Sequence, residues 1–169
     1  MKKFKVIAVI SIVAWLVLWG VLRHKETERQ RAIVNSVRVL IEDCKKMGDS
    51  PIFIRGKCLV WDTPKNSRSG AHAKLPGELK ARSSDRQITV FMVLRERNVM
   101  VGRYSISNEP GYRQYMDVCV VYWPEKKAVG MHSVVSKEPV SSRTVEYAPE
   151  YGDPTEPIAR WISSLPRTR

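Results

Sequence analysis

Residues 115–135 read YMDVCVVYWPEKKAVGMHSVV. The first nine are rich in Val and aromatic side chains, which suit a pleated, half-buried surface. Pro124-Glu125-Lys126-Lys127 is turn chemistry, and residues 128–135 return to β-forming types. Two strands joined this closely must pair antiparallel, because a parallel return needs a crossover of a dozen residues or more. Working outward, residues 88–94 are apolar apart from Thr89. Residues 99–106 follow across Arg95-Glu96-Arg97-Asn98, which reads as a second hairpin connection. Residues 52–61 alternate Ile52, Ile54, Gly56, Cys58 and Val60 against Phe53, Arg55, Lys57, Leu59 and Trp61. The expectation is an antiparallel five-stranded sheet whose last four strands form a meander.

Helical signals flank these strands. Ile33, Val37, Leu40, Ile41, Cys44 and Met47 share one face of an amphipathic helix over residues 27–47. Gly48 supplies its stop, with Pro51 just beyond. Near the other end, Asp153 suits an N-cap, Pro154 the first helical position and Glu156 the capping-box site. Ile158, Trp161, Ile162 and Leu165 then mark one apolar face, and Pro166 ends it. Helices packed on the sheet give an α+β, two-layer domain. Residues 63–87 and 136–151 read as irregular, with one turn at Leu75-Pro76-Gly77-Glu78-Leu79.

From Val6 to Leu22 the chain carries no charge. At ~1.5 Å per residue this run spans roughly 26 Å, just long enough for a bilayer core with snorkelling flanks. Lys2, Lys3 and Lys5 precede it, Arg23 and Lys25 follow, and Trp15 and Trp19 suit the headgroup boundary. A cleaved signal peptide would need small residues before a cut, and Arg23-His24-Lys25 follows instead. The organisation is therefore a basic leader (1–5), a transmembrane anchor (6–22), an amphipathic stalk (23–48) and a basic α+β domain (49–169). The membrane helix is expected to run on into the stalk, and its partner is the lipid bilayer through residues 6–22. The short basic leader favours an extracytoplasmic domain, although Arg29, Arg31 and Arg38 on the far flank compete with it.

The chain has 169 residues and a net charge of +12, with 43% hydrophobic residues. This composition excludes a disordered tail, a disulfide-dense miniprotein and a polytopic membrane protein. Residues 63–113 hold ten basic side chains against four acidic ones. Arg68, Lys74, Lys80, Arg82 and Arg86 in this stretch are the candidate contacts for an anionic partner: anionic lipid, an envelope polymer or an acidic protein. Nucleic acid is the weakest candidate, since no helix-turn-helix, zinc finger or RNP motif accompanies the charge.

No nucleophile elbow, zinc-protease, Walker or dinucleotide motif is present. His24, His72 and His132 stand at no ligand spacing, so no metal, cofactor or catalytic set is expected. His132, Tyr122 and Trp123 cluster near the second hairpin. Cys44, Cys58 and Cys119 lack any C-x-x-C spacing. An external domain would make a Cys44–Cys58 bridge available.

A long amino-terminal helix, half apolar and half amphipathic, followed by an antiparallel sheet resembles the layout of type IV pilins and pseudopilins. That resemblance implies a subunit of a filament or secretion complex. The chain departs from the family pattern in having no Gly before Gly20 and no acidic residue before Glu26. The reading favoured by the residues is a single-pass membrane protein presenting a basic binding or scaffolding domain, not an enzyme. The alternatives are the pilin-like subunit and an enzyme with an unrecognised site.

Overall fold

The computed structural model describes residues 2–103, 110–137 and 155–168, with the side chains of residues 2–10, 96, 101, 110–112, 136 and 137 outside that description. The fold is α+β. A long first helix, α1 (Lys2–Val37), leads through a 3-10 turn (Arg38–Leu40) into a short helix, α2 (Ile41–Met47). Strands β1 (Lys57–Asp62) and β2 (Ser67–Arg68) follow, then α3 (Gly70–Lys74) and a 3-10 turn (Gly77–Leu79). Strands β3 (Ile88–Arg103), β4 (Pro110–Trp123) and β5 (Lys127–Lys137) complete the sheet, and α4 (Thr155–Ser164) ends the chain's regular structure.

The sheet is mixed, in the order β2-β1-β3-β4-β5. The turn at Pro124–Lys126 and the antiparallel pairs β3–β4 and β4–β5 form a meander of three strands where four were expected. The fully antiparallel expectation fails at β1, which lies parallel to β3 from Lys57↔Ile88 to Asp62↔Val93. A parallel pair needs a long crossover, and residues 63–87 are that crossover. They are not irregular: β2 turns back on β1, and α3 and the second 3-10 turn lie on the sheet. Ser69 caps α3 by accepting the Ala71 N–H at 3.3 Å.

Two strand boundaries also differ from expectation. The hairpin expected at Arg95-Glu96-Arg97-Asn98 does not form, and β3 runs through it as one strand. That tetrapeptide has no Gly or Pro to turn on, and β4 offers its charges a partner. Arg97 Nε donates to Asp117 Oδ1 at 3.1 Å, and Arg95 lies 3.7 Å from the same carboxylate. The resulting arm outruns the sheet, because β1 stops pairing at Val93 and β5 at Gln114. The first strand starts at Lys57, not near Ile52, because Gly56 holds a φ of +67°. A Cβ there would collide with the Gln87 carbonyl, so the residue is confined to Gly.

Both faces of the sheet are covered, which replaces the expected two layers with three. On one face Ile33, Val34, Val37 and Cys44 pack against Leu59, Trp61, Ile88, Val90, Met92, Cys119 and Val121. On the other, Ala71, Leu75, Leu79, Ile158, Ala159 and Ile162 cover Cys58, Val60, Phe91, Val93, Val118 and Val120. Strand alternation splits each pair of neighbours between these two cores. The stalk face holds at Ile33, Val37 and Cys44, whereas Met47 is exposed. Gly48 ends α2 as expected, donating its N–H to the Cys44 carbonyl at 3.2 Å. Gly130 lets that segment approach β5, where Met131 N–H bonds the Gly48 carbonyl at 2.8 Å.

The continuous helix from leader to stalk is present over 36 residues, about 54 Å long. Among the described residues no helix is long and apolar enough to cross a membrane. The expected 136–151 loop and the Asp153 cap fall largely outside the described residues.

Cys44 is bonded to Cys119, not to Cys58. The alternation of β1 explains the difference: Cys58 points into the far core with Val60, while Cys119 shares the α2 face. The bridge closes a separation of 75 residues, for which chain entropy gives about 4 kcal/mol. Reducing it should lower the unfolding free energy by an amount of that order, read as the midpoint shift multiplied by the slope of urea denaturation curves taken with and without reductant. Coincident curves would show that the bond contributes nothing.

Candidate functional site

The junction of α1 with the domain is polar and closed. Gln30 is 1% exposed. Its Nε2 donates to the Ala81 carbonyl at 3.1 Å and to Glu26 Oε1 at 2.9 Å. Its Oε1 receives the Arg68 guanidinium, with Nε at 3.0 Å and a second N–H beside it. Glu26 accepts the Ser83 N–H at 2.7 Å and the Ser83 hydroxyl at 2.6 Å. Burial works to raise the Glu26 pKa, but the Ser83 bonds, the Arg68 charge and Gln30 outweigh it and leave the carboxyl below its ordinary value.

This network redistributes the expected anion contacts. Arg68 is half-buried on Gln30 and serves the junction. Lys74 pairs with Glu156 at 3.2 Å. Lys80 donates to the Ala73 carbonyl at 2.7 Å. Lys74 is exposed but ion-paired, whereas Arg82 and Arg86 project as exposed side chains on either side of Ser83. The structure thus splits the five residues into a structural group and a solvent-facing pair.

A cleft of about 440 Å³ lies elsewhere, between α2 and the sheet. Ile41, Pro64, Leu94 and Met131 give it apolar walls, and Arg38, Lys45 and Arg95 give it positive charge. Asp117, 4% exposed, also lines it. Its carboxylate is shared by Arg97, Arg95 and the Ser133 hydroxyl, the last at 2.7 Å. Of the other two cations, Lys45 pairs with Glu42 at 2.6 Å and Arg38 reaches the Thr63 carbonyl at 3.5 Å. The sequence signal for this site was Asp117, a lone charge in a Val-rich strand. Arg38, Lys45 and Arg95 come from separate segments and carry no motif.

The histidines have structural settings. His72 is buried on α3, and its Nδ1 accepts the Val60 N–H at 3.4 Å. Burial first, then Arg68 and Lys80, pull its pKa down to about 4. His132 stacks on Trp161, with centroids 4.6 Å apart, and its Nδ1 lies 2.7 Å from Asp49 Oδ1. Tyr122 donates to the Phe53 carbonyl at 2.8 Å beneath the Arg55 guanidinium. Trp123 is half-buried against the α1-side core. The free Cys58 is buried, and burial pushes its thiol up to about 12. That removes it as a nucleophile at neutral pH. Among the described residues no group of His, Cys, Asp and Glu could hold a metal ion.

No family model, curated protein or solved structure matches this chain.

The His72 shift has a stability consequence. Its folded pKa is about 4 against a usual 6.5, so the unfolded chain binds the extra proton between those values. The stabilisation is complete above about pH 6.5 and lost as pH falls toward 4, up to about 3 kcal/mol. Urea midpoints should therefore fall between pH 7 and pH 5, with a shallower fall in His72→Gln. Equal slopes in the two proteins would remove His72 as the cause.

Proposed function

We propose that this chain is a single-pass membrane-anchored protein presenting a small basic α+β domain for binding or scaffolding. One observation carries the reading: the apolar part of α1 is bare. Ile12, Val13, Trp15, Leu16, Val17, Leu18, Trp19, Val21 and Leu22 are all 46–62% exposed. They surround the helix on every side, and nothing in the domain covers them. A helix apolar all round belongs in an apolar medium, and a patch of this extent is not left in water. Residues 6–10 extend the same uncharged run in the sequence. Trp19 sits under the Arg23 guanidinium at 5.1 Å, an aromatic–cation pair suited to the headgroup boundary.

The domain belongs on the extracytoplasmic side. The three-Lys leader favours that orientation, and a disulfide between buried cysteines fits an oxidising compartment. The pilin-like alternative draws on the same helix and sheet. It lacks the Gly and Glu of that family's leader, and the parallel β1–β3 pair departs from an all-antiparallel layout.

Two measurements test this reading. The chain should remain in the membrane pellet after alkaline extraction, and Val13→Glu with Val17→Glu should release it. Release of the unsubstituted chain would end the anchor reading. Alkylation in denaturant without reductant, performed directly on cell lysates, should modify one thiol, Cys58. Modification of three would place the domain in a reducing compartment.

A further inference from the structure

The junction between α1 and the domain also fixes how high the domain stands above the last apolar residue. Glu26 follows Leu22 by four positions, a rise of about 6 Å along the helix. Both Glu26 oxygens are held by Ser83, at 2.7 and 2.6 Å. Residues 81–87 are therefore tied to α1 within one turn of the end of the uncharged run.

That loop is closed by its own hydrogen bonds and presents its cations. Asp85 Oδ2 accepts the Arg82 N–H at 2.6 Å, and Asp85 N–H returns to the Arg82 carbonyl at 3.1 Å. The one acid of the loop is thereby folded onto the backbone, while Arg82 and Arg86 project. The neighbouring turn of α1 repeats the arrangement. Arg23, Lys25 and Arg29 are exposed. Of the acids beside them, Glu26 is held by Ser83 and Gln30, and Glu28 pairs with Arg31 at 2.6 Å. Two separate elements thus carry exposed cations near the Glu26–Ser83 contact, beside a helix about to enter an apolar medium.

We propose that residues 81–87 form a membrane-facing loop, in which Arg82 and Arg86 join Arg23, Lys25 and Arg29 in a collar that binds anionic lipid headgroups. The inference rests on the anchor reading and adds the partner of the basic loop. Headgroups carry the charge this collar lacks, and they lie at the depth where residues just past an apolar run sit. Each basic residue near an anionic surface adds about fivefold to the attraction, and the effect decays within a Debye length. The domain would then rest against its own membrane.

The test uses the full chain in vesicles, labelled at one introduced cysteine. Cys58 is buried and Cys44 is bonded to Cys119, so a Ser84→Cys thiol takes a fluorophore selectively. Lys65→Cys, in the turn that follows β1, serves as the comparison position. Vesicles are phosphatidylcholine alone or with phosphatidylglycerol, each with a headgroup-attached nitroxide quencher. The expected result is quenching at position 84 that is several-fold stronger in the anionic vesicles. It should weaken with salt and fall to the neutral-vesicle level in Arg82→Gln with Arg86→Gln. Position 65 should stay unquenched. Failure of the chain to co-float with vesicles overturns both the anchor and the collar. Co-flotation with position 84 unquenched, or quenched regardless of lipid charge or of the two substitutions, overturns the collar alone.

Discussion

The seating of Gln30 governs the rest of the molecule. Its amide uses both ends, donating to Ala81 and Glu26 and accepting from Arg68. A buried amide stripped of partners costs about 1–3 kcal/mol, so α1 has one rotation about its axis that leaves the amide satisfied. That rotation turns Ile33, Val34 and Val37 toward β1, β3 and β4. It also fixes the direction in which the uncharged residues leave the domain. Because α1 is unbroken from Lys2 to Val37, the domain's orientation follows that of the helix.

The same constraint explains what the positive charge does. Composition alone makes the chain a uniform cation, but much of the charge is tied up. Arg68 completes the Gln30 junction, Lys80 holds a carbonyl, Lys74 meets Glu156 and Arg97 meets Asp117. Among the described residues two sets of exposed cations stand out, one beside Glu26 and one around the cleft at Arg38, where Lys45 is paired with Glu42. Twelve positions of helix and turn separate these, roughly 18 Å at helical rise. That exceeds a Debye length of about 8 Å at physiological salt. The two patches therefore behave as separate sites and do not add to one field.

Local chemistry in the sequence reached α1, α2, α4 and the β4–β5 hairpin but not α3, because a periodic apolar face, Gly48 and Pro124 act over a few residues. Pairing partners were harder. The parallel placement of β1 is a long-range fact, and its one signal was the length of residues 63–87. A stretch that long is better read as a crossover than as a loop. Arg95-Glu96-Arg97-Asn98 looked like a turn because it is charged, yet charge is tolerated on a strand where Asp117 stands opposite. Side-chain alternation could have decided the cysteine pairing: Cys58 and Cys119 both sit in strands, but the face each one presents depends on the sheet order. The site was less visible than the fold. Of the five basic residues singled out, position in sequence could not separate Arg82 and Arg86 from the three that the crossover draws into structural contacts.

The disulfide ties compartment to site. Helix α2 has seven residues and buries only Cys44, and a helix so short does not persist on its own in water. It is held by the bond to Cys119 in the middle of β4 and by the Gly48 contact with β5. Ile41 and Lys45 of α2 form one wall of the cleft, and Asp117, two positions from Cys119, lines it as well. The covalent bond thus spans the two sides of the cleft close to its acidic end. With the cysteines reduced, the wall depends on a partly buried Ile41, Leu40 and one backbone contact. The cleft keeps its shape best where the bond is kept oxidised, as on the extracytoplasmic side proposed for the domain.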